Sequence, residues 1–301
     1  MRTVALRFQR TLARPADVAG TGFISGRPIR VRFHPATENA GIVFVRADRP
    51  GAPRTPALAS FVSDTRRRTT LGSATDGVTL VEHVLAALAG LRVDNCVVEL
   101  DGPEPPGLDG SAGEFVRAIR AAGIIEQSAN RPIHSVRQTV VVARDGASVA
   151  LHPAADATLR ITYALDYGAT SPIPRQSATA RIAPESFDAE LAHCRTFLLE
   201  SEADALRSQG IGRTVDFADL LVFGERGPIG NTLRRADEPA RHKILDLVGD
   251  LALTGLDLAG HVVAYRSGHG LNADLARRII AREAHATAPA VLAFPARRRA
   301  A

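Results

Sequence analysis

The sequence predicts an α+β protein of two similar halves. Each is a small, mostly antiparallel sheet packed with helices, layered so that the active site falls at the seam between the domains. Three observations predict this. In both halves strand-like runs joined by Pro- and Gly-rich connections come before a helix. The order helix, strand, helix occurs over residues 79–122 and again over 238–284. Locally, Ala86-Ala87-Leu88-Ala89-Gly90-Leu91 before one strand echoes Asp250-Leu251-Ala252-Leu253-Thr254-Gly255-Leu256 before another.

The elements follow in order. A strand-like run reaches Leu12, and Gly20-Thr21-Gly22-Phe23-Ile24-Ser25-Gly26 reads as a glycine-rich hairpin. It is not a dinucleotide fingerprint, because Pro28-Ile29-Arg30-Val31-Arg32-Phe33 after it alternates as a strand instead of opening a helix. Strand-like segments around Gly41 to Arg46 and Ala57 to Ser63 lead to a helical run from Val81, with Gly90 past its end, and a strand from Asn95 to Leu100. Asp101 to Gly110 holds three prolines and reads as loop, with Asp109 a turn residue. Ser111 and Glu114 have capping-box spacing for a helix to about Ala122. Polar residues and proline from Ser128 to Pro132 read as a linker, dividing the chain into domains 1–128 and 129–301. Beyond it come strands near Gln138 to Ala143, Ser148 to His152 and Thr158 to Leu165, then a long variable stretch. A helix (Glu238 to Thr254), a strand (Gly260 to Tyr265) and a helix (Leu271 to Ala284) close the pattern.

Composition excludes several classes. At 301 residues the chain can build two cores of ordinary size. No apolar run approaches the ~20 residues of a membrane-spanning helix. The start, Met1-Arg2-Thr3-Val4-Ala5-Leu6-Arg7, has no signal-peptide core, so a cytoplasmic location is expected. Two cysteines, Cys96 and Cys194, do not make a disulfide scaffold. The net charge of +5 reads as an arginine-rich surface. Arg297-Arg298-Arg299 reads as a frayed tail, whereas Arg66-Arg67-Arg68 is suited to an anionic substrate. Neither cluster has aromatic platforms beside it, so no nucleic acid is expected as a partner.

The densest chemistry lies in Arg241-His242-Lys243-Ile244-Leu245-Asp246-Leu247-Val248-Gly249-Asp250. On a helix His242 and Asp246 are i and i+4, their Cβ atoms about 6 Å apart on one face, with Asp250 a turn further on. Ile244, Leu245, Leu247, Val248 and Leu251 supply the apolar stripe that would bury such a helix. Two ligands hold zinc poorly and a catalytic site usually takes three, so His83 is the natural third. It follows Glu82 in an otherwise apolar helical run, where an unpartnered acid or imidazole would cost roughly 2 kcal/mol or more. His269, in Ser267-Gly268-His269-Gly270 at the end of a strand-like run, is a further charged candidate. Taken alone, a His-x-x-x-Asp pair such as His242/Asp246 is more often a surface hydrogen bond than a metal site, and Glu82-His83 more often a cap or salt bridge than a functional pair.

A family resemblance ties these pieces together. Val81-Glu82-His83, Leu108-Asp109-Gly110-Ser111-Ala112, Arg195-Thr196-Phe197, His242-Lys243-Ile244-Leu245-Asp246 and Ser267-Gly268-His269-Gly270-Leu271-Asn272 resemble the motifs of UDP-3-O-acyl-N-acetylglucosamine deacetylases, in the same order over nearly the whole chain. Gln9-Arg10-Thr11-Leu12 and Asp64 to Gly72 fit as well. The resemblance implies a zinc amidohydrolase of lipid A biosynthesis that removes an N-acetyl group from a UDP-linked acylated amino sugar. It implies one zinc ion on His83, His242 and Asp246, Glu82 as general base, and His269 stabilising charge or protonating the leaving amine. It further implies that Thr196 polarises the carbonyl, Lys243 contacts substrate and Asp250 orients His269. Phe197 belongs to the matched motif that would meet substrate, and Tyr167 is the nearest stacking candidate for the uridine end. The family carries insertions that fall here at about 39–68 and about 198–233. The second would line an acyl passage with Leu198, Leu199, Leu206, Ile211, Leu220, Leu221 and Val222. Departures from the family pattern fall at Phe23-Ile24, Arg213-Thr214-Val215, Asp166 to Thr170 and Pro239-Ala240, none of them on the zinc ligands. A non-catalytic relative that binds such a glycolipid precursor or a partner protein is the alternative; it would be expected to lack a ligand or Glu82, and all are present. No integral membrane segment is implied, though an amphiphilic substrate would bring transient membrane-surface contact.

Overall fold

The computed structural model describes residues 1–212 and 220–287, so the Arg213-Thr214-Val215 departure and the Arg297-Arg298-Arg299 tail lie outside the described residues. The chain opens with β1 (Arg2–Leu12), β2 (Ala16–Thr21), β3 (Pro28–Pro35), β4 (Ile42–Arg46) and β5 (Arg54–Pro56). A 3-10 turn (Ala59–Phe61) and a short pair, β6 (Val62–Asp64) and β7 (Thr70–Leu71), lead to α1 (Glu82–Gly90), β8 (Cys96–Leu100) and α2 (Gly113–Ala122). After β9 (Ile124–Ser135) come β10 (Val140–Arg144), β11 (Ala147–His152), β12 (Leu159–Leu165), β13 (Gln176–Ile182) and α3 (Pro184–Glu190). The remainder is β14 (Phe197–Leu199), α4 (Glu200–Ser208), β15 (Leu221–Gly224), β16 (Gly227–Pro228), α5 (Glu238–Ala252), β17 (Asp257–Tyr265) and α6 (His269–Thr287).

The expected repetition extends to strand order. One sheet runs β2-β3-β8-β4-β5, with β8 antiparallel to β3 and parallel to β4. The other runs β10-β11-β17-β12-β13, with β17 antiparallel to β11 and parallel to β12, and the first residues of β17 also pair with β9, which adds the β1–β9 ribbon to make seven strands. Apart from the β1–β9 ribbon, the 3-10 turn with the β6–β7 pair, and the segment from α3 to β16, each half is thus four strands, a helix, a central strand inserted between the two hairpins, and a second helix. That arrangement makes α1 and α5 equivalent, and they pack against each other along the seam. The apolar stripe of α5 is buried from Ile244 to Leu251 and joins a core that includes Val84, Leu85 and Leu88 of α1.

The approach of these two helices depends on Gly249. A methyl group there would stand 3.1 Å from Glu82 Cα and closer still to its carbonyl group, both backbone atoms of the facing helix. Gly249→Ala should therefore separate α1 from α5 and destabilise the protein by about 1–3 kcal/mol, as overpacking does. Urea unfolding checks this; a variant as stable as the parent would contradict the close crossing.

Four local expectations are corrected. Ser128 to Pro132 is not a linker but the middle of β9, paired antiparallel with β1 from Leu12↔Ile124 to Arg2↔Ser135. It is polar because this ribbon is half solvated, and its side chains find partners: Gln127 donates to Ala36 O (3.0 Å) and Ser128 to Glu38 (2.6 Å). Ala57 to Ser63 is not one strand, because Ala59 N donates to Leu253 O (2.8 Å) at the end of α5 and turns the chain. Ser111 and Glu114 form no capping box. Ser111 Oγ accepts from Gly113 N (3.2 Å) and donates to Asp109 (2.7 Å), while Glu114 pairs with Arg117 one turn on (2.6 Å). Gly90 is the last residue of α1 and not the one beyond it, lying against the Phe187 ring where a side chain would not fit.

Candidate metal and catalytic centre

The equivalence of α1 and α5 puts the start of one beside the first turns of the other. Leu80, just before α1, has φ +56°, a left-handed conformation that costs a branched residue roughly 1 kcal/mol or more. This turn sets Glu82 and His83 at the head of α1, both lining a cavity of about 630 Å³ that α5 also lines with Lys243 and Asp246.

His83, His242 and Asp246 come together. Asp246 Oδ1 lies 3.2 Å from His242 Nε2 and 3.5 Å from His83 Nε2, and one donor atom from each residue falls within 4.8 Å of the others. The two rings are perpendicular, their centroids 5.1 Å apart. His242 Nδ1 is 3.0 Å from Cys194 O, which can only accept, so Nδ1 carries the proton and Nε2 presents a lone pair. Burial disfavours the charged form of His242, which keeps that lone pair available. Asp246 Oδ1 is buried yet receives no hydrogen bond. Burial would raise the pKa of this carboxyl, but the charges beside it, that of His242 when protonated and that of Lys243, hold it well below the usual carboxylate range. A buried carboxylate oxygen without a hydrogen bond, facing two imidazole nitrogens, is what a divalent cation satisfies. Two nitrogens and one oxygen suit zinc with a coordination position left open.

Around this trio the remaining groups are held by hydrogen bonds. Glu82 is buried, and Oε2 accepts from Thr69 N (3.0 Å); desolvation pushes its carboxyl pKa up. Asp250 Oδ2 accepts from His269 Nδ1 (2.9 Å) and Asn272 Nδ2 (2.9 Å), and Oδ1 from Thr69 Oγ1 (2.6 Å). His269 Nε2 then stands 4.0 Å from both Glu82 Oε1 and Asp246 Oδ2. Burial alone would lower the His269 pKa, but Asp250, with Glu82 and Asp246 behind it, raises it to about 9. Because the folded value lies above the ordinary 6.5, the stability from this pair is complete below 6.5 and lost as pH rises through about 9. In metal-free protein, Asp250→Asn should flatten that part of the stability–pH curve, read from thermal midpoints between pH 6 and 10. A parent curve already flat there would contradict the pairing.

The other expected residues ring the cavity. Lys243 Nζ donates to Asp246 Oδ2 (2.8 Å) and lies 5.5 Å from the centre of the Phe197 ring. Phe197 is buried and meets His242 and Tyr167 edge-on at 6.2 and 5.8 Å, while Tyr167 is 40% exposed at the rim. Thr196 lines the cavity, its backbone N bonded to Gly110 O (2.8 Å). Of the basic cluster, Arg67 and Arg68 line the cavity and Arg66 does not. Among the apolar residues expected to form a passage, Leu198, Leu206 and Ile211 reach the cavity, beside Phe23 and Ile24. Leu220 and Val222 instead pack with Ala203 into a small separate core, and Leu221 enters the main one, because β15 pairs with β14 and turns these side chains inward.

Sequence reasoning gave no role to Thr69 or Arg195, although both lie in stretches that resemble the family's motifs, and it missed Glu238 and the hydrogen bond from Asn272. Asn272 follows His269 by three residues on α6, which places both toward Asp250. Glu238 stands four residues before His242 and so extends the His242, Asp246, Asp250 series one turn upstream. Its buried ion pair with Arg195 (2.9 Å) comes from across 43 residues.

Residues 9–281 match the family described as UDP-3-O-acyl N-acetylglycosamine deacetylase. Proteins named UDP-3-O-acyl-N-acetylglucosamine deacetylase are similar to it: one from Nostoc sp. is 40% identical over 278 residues, covering 91% of this chain and 98% of the relative. One from Solibacter usitatus is 38% identical over 281 residues (91% and 92%), and one from Myxococcus xanthus 39% over 275 residues (90% and 86%). With the match spanning both halves and every site residue described above, the chain belongs to the UDP-3-O-acyl N-acetylglycosamine deacetylase family.

Proposed function

We propose that this chain hydrolyses the N-acetyl group of UDP-3-O-acyl-N-acetylglucosamine, releasing acetate and UDP-3-O-acyl-glucosamine for lipid A biosynthesis, with zinc on His83, His242 and Asp246. The observation that carries this reading is the buried, hydrogen-bond-free Asp246 Oδ1 facing two imidazole nitrogens, within reach of a second acid and a third histidine. When bound, zinc supplies Lewis acidity, making water ionise near neutrality and drawing electrons from an amide carbonyl.

The chain's own groups do the rest. Glu82, basic once ionised and with its pKa raised by burial, takes the proton of the attacking water. Thr196, whose side chain makes no hydrogen bond among the described residues, and Lys243 face the charge that develops on the carbonyl oxygen. His269, protonated and aimed by Asp250, delivers a proton to the leaving amine, which would otherwise depart as an unstable anion. The apolar arm with Leu198, Leu206 and Ile211 takes the acyl chain, and Tyr167 at the rim stacks on the uracil. We assign the halves to residues 1–128 and 129–301, with β9 crossing between them. No helix among the described residues is long and apolar enough to cross a membrane. The reaction belongs in the cytoplasm on an amphiphilic substrate met transiently at the membrane surface.

The test is acetate release from purified UDP-3-O-acyl-N-acetylglucosamine before and after chelation. Turnover that disappears with chelator and returns with zinc is expected. Turnover indifferent to chelation would contradict the metal, and absence of acetate from zinc-loaded protein would contradict the substrate.

A further inference from the structure

α5 carries an ionisable side chain at every fourth position from its first turn: Glu238, His242, Asp246 and Asp250. Such residues share one face. The mechanism above uses the last three. Glu238 is fully buried, and its carboxylate is bound almost entirely to one segment of chain. Oε1 accepts from Arg195 N (3.0 Å) and Arg195 Nε (2.9 Å), and Oε2 from Arg195 Nη2 (3.2 Å) and Arg234 N (2.7 Å). The same guanidinium donates to Asn231 Oδ1 (2.8 Å) and Thr232 O (2.7 Å).

Position in the chain gives this pair a consequence. The residue before Arg195 is Cys194, whose carbonyl receives His242 Nδ1–H, and the residue after it is Thr196 at the cavity wall. Two consecutive residues, 194 and 195, are therefore clamped onto two consecutive turns of α5. Holding Arg195 N and its guanidinium on Glu238 restricts the peptide plane that carries Cys194 O, and so where that carbonyl can point. We propose that Glu238 is a positioning residue for the metal site: through Arg195 it fixes the Cys194 carbonyl that sets the tautomer and ring orientation of His242. This rests on the metal reading of His83, His242 and Asp246. Outer partners of ligating histidines of this kind change metal affinity by roughly 10–100-fold when lost.

Stability alone gives no reason for an ion pair here. Removing two charges from water is costly, and a well-packed apolar pair of similar volume is often as stable or more so. That supplies the discriminating variant. Arg195→Met with Glu238→Met keeps volume and removes both charges together, whereas Glu238→Gln alone leaves a buried guanidinium short of charge. Zinc dissociation constants, measured by competition with a chromophoric chelator, should rise about 10–100-fold in the folded Met pair and in Glu238→Gln. Glu238→Asp should recover part of the loss.

A folded Met pair that binds zinc as tightly as the parent would overturn the positioning role and leave the metal reading standing. A parent protein that takes up no zinc would overturn both. Should the Met pair and Glu238→Gln fail to fold, Glu238→Asp decides: its shorter side chain cannot hold Arg195 in the same place, so a smaller but measurable rise in the zinc dissociation constant is expected, and affinity equal to the parent's would overturn the proposal.

Discussion

Glu82→Gln is expected to keep its zinc and lose at least about 100-fold in turnover, the range for removal of a general base. The side chain keeps its shape and can still accept from Thr69 N, so the head of α1 should stay in place. What is lost is the capacity to take a proton at Oε1, the oxygen nearer His269. Because Glu82 is not one of the three donors that converge, metal content should remain at one ion per chain. Steady-state kinetics together with elemental analysis separate these effects. Undiminished turnover would exclude Glu82 as the base, and loss of metal would make it part of the ion's shell.

His83→Ala and His242→Ala should each remove bound zinc at micromolar metal and reduce acetate release to background. Two ligands remain in either variant, too few for a stable catalytic site. The thermal signature is as specific. A ligand that binds only the folded state stabilises it by about 4 kcal/mol at a thousand times its dissociation constant. Chelation should therefore lower the melting temperature of the parent and leave both variants unmoved. The effect of His83→Ala bears most on the architecture, since His83 comes from the half of the chain opposite to Asp246. Stoichiometric zinc surviving in either variant would refute the assigned ligands.

The legible and illegible parts of the site differ by the range of the interactions that make them. His242 and Asp246 are visible because a helix converts a four-residue spacing into proximity, and Glu82-His83 because acid and imidazole interrupt an apolar run. Their meeting is visible because the halves repeat, which makes α1 and α5 equivalent; the two sheets share strand order down to the parallel pairs β4–β8 and β12–β17. β9 was hidden because it has no apolar alternation: it pairs in a half-solvated ribbon where Ser128 and Gln127 are stabilised by partners some 90 residues earlier. β13 and α3 went unread although Pro172, Pro174 and Pro184 punctuate the stretch, because the inward face of β13 is Ala178, Ala180 and Ile182, side chains mostly too small to make a clear apolar alternation. Glu238 had the right spacing, but its meaning depends on Arg195, and no local pattern joins those positions. Thr69 is the extreme case, a residue whose role exists only where Asp250 and Glu82 converge on it.

The account depends most on one ion being shared by α1 and α5, and X-ray absorption at the zinc edge of the parent protein tests this most directly. The prediction is a first shell of nitrogen and oxygen only, at about 2.0–2.2 Å, with outer-shell scattering from two imidazoles. A sulfur shell near 2.3 Å, which would place the metal on Cys194 or Cys96, or scattering from fewer than two imidazoles, would contradict it.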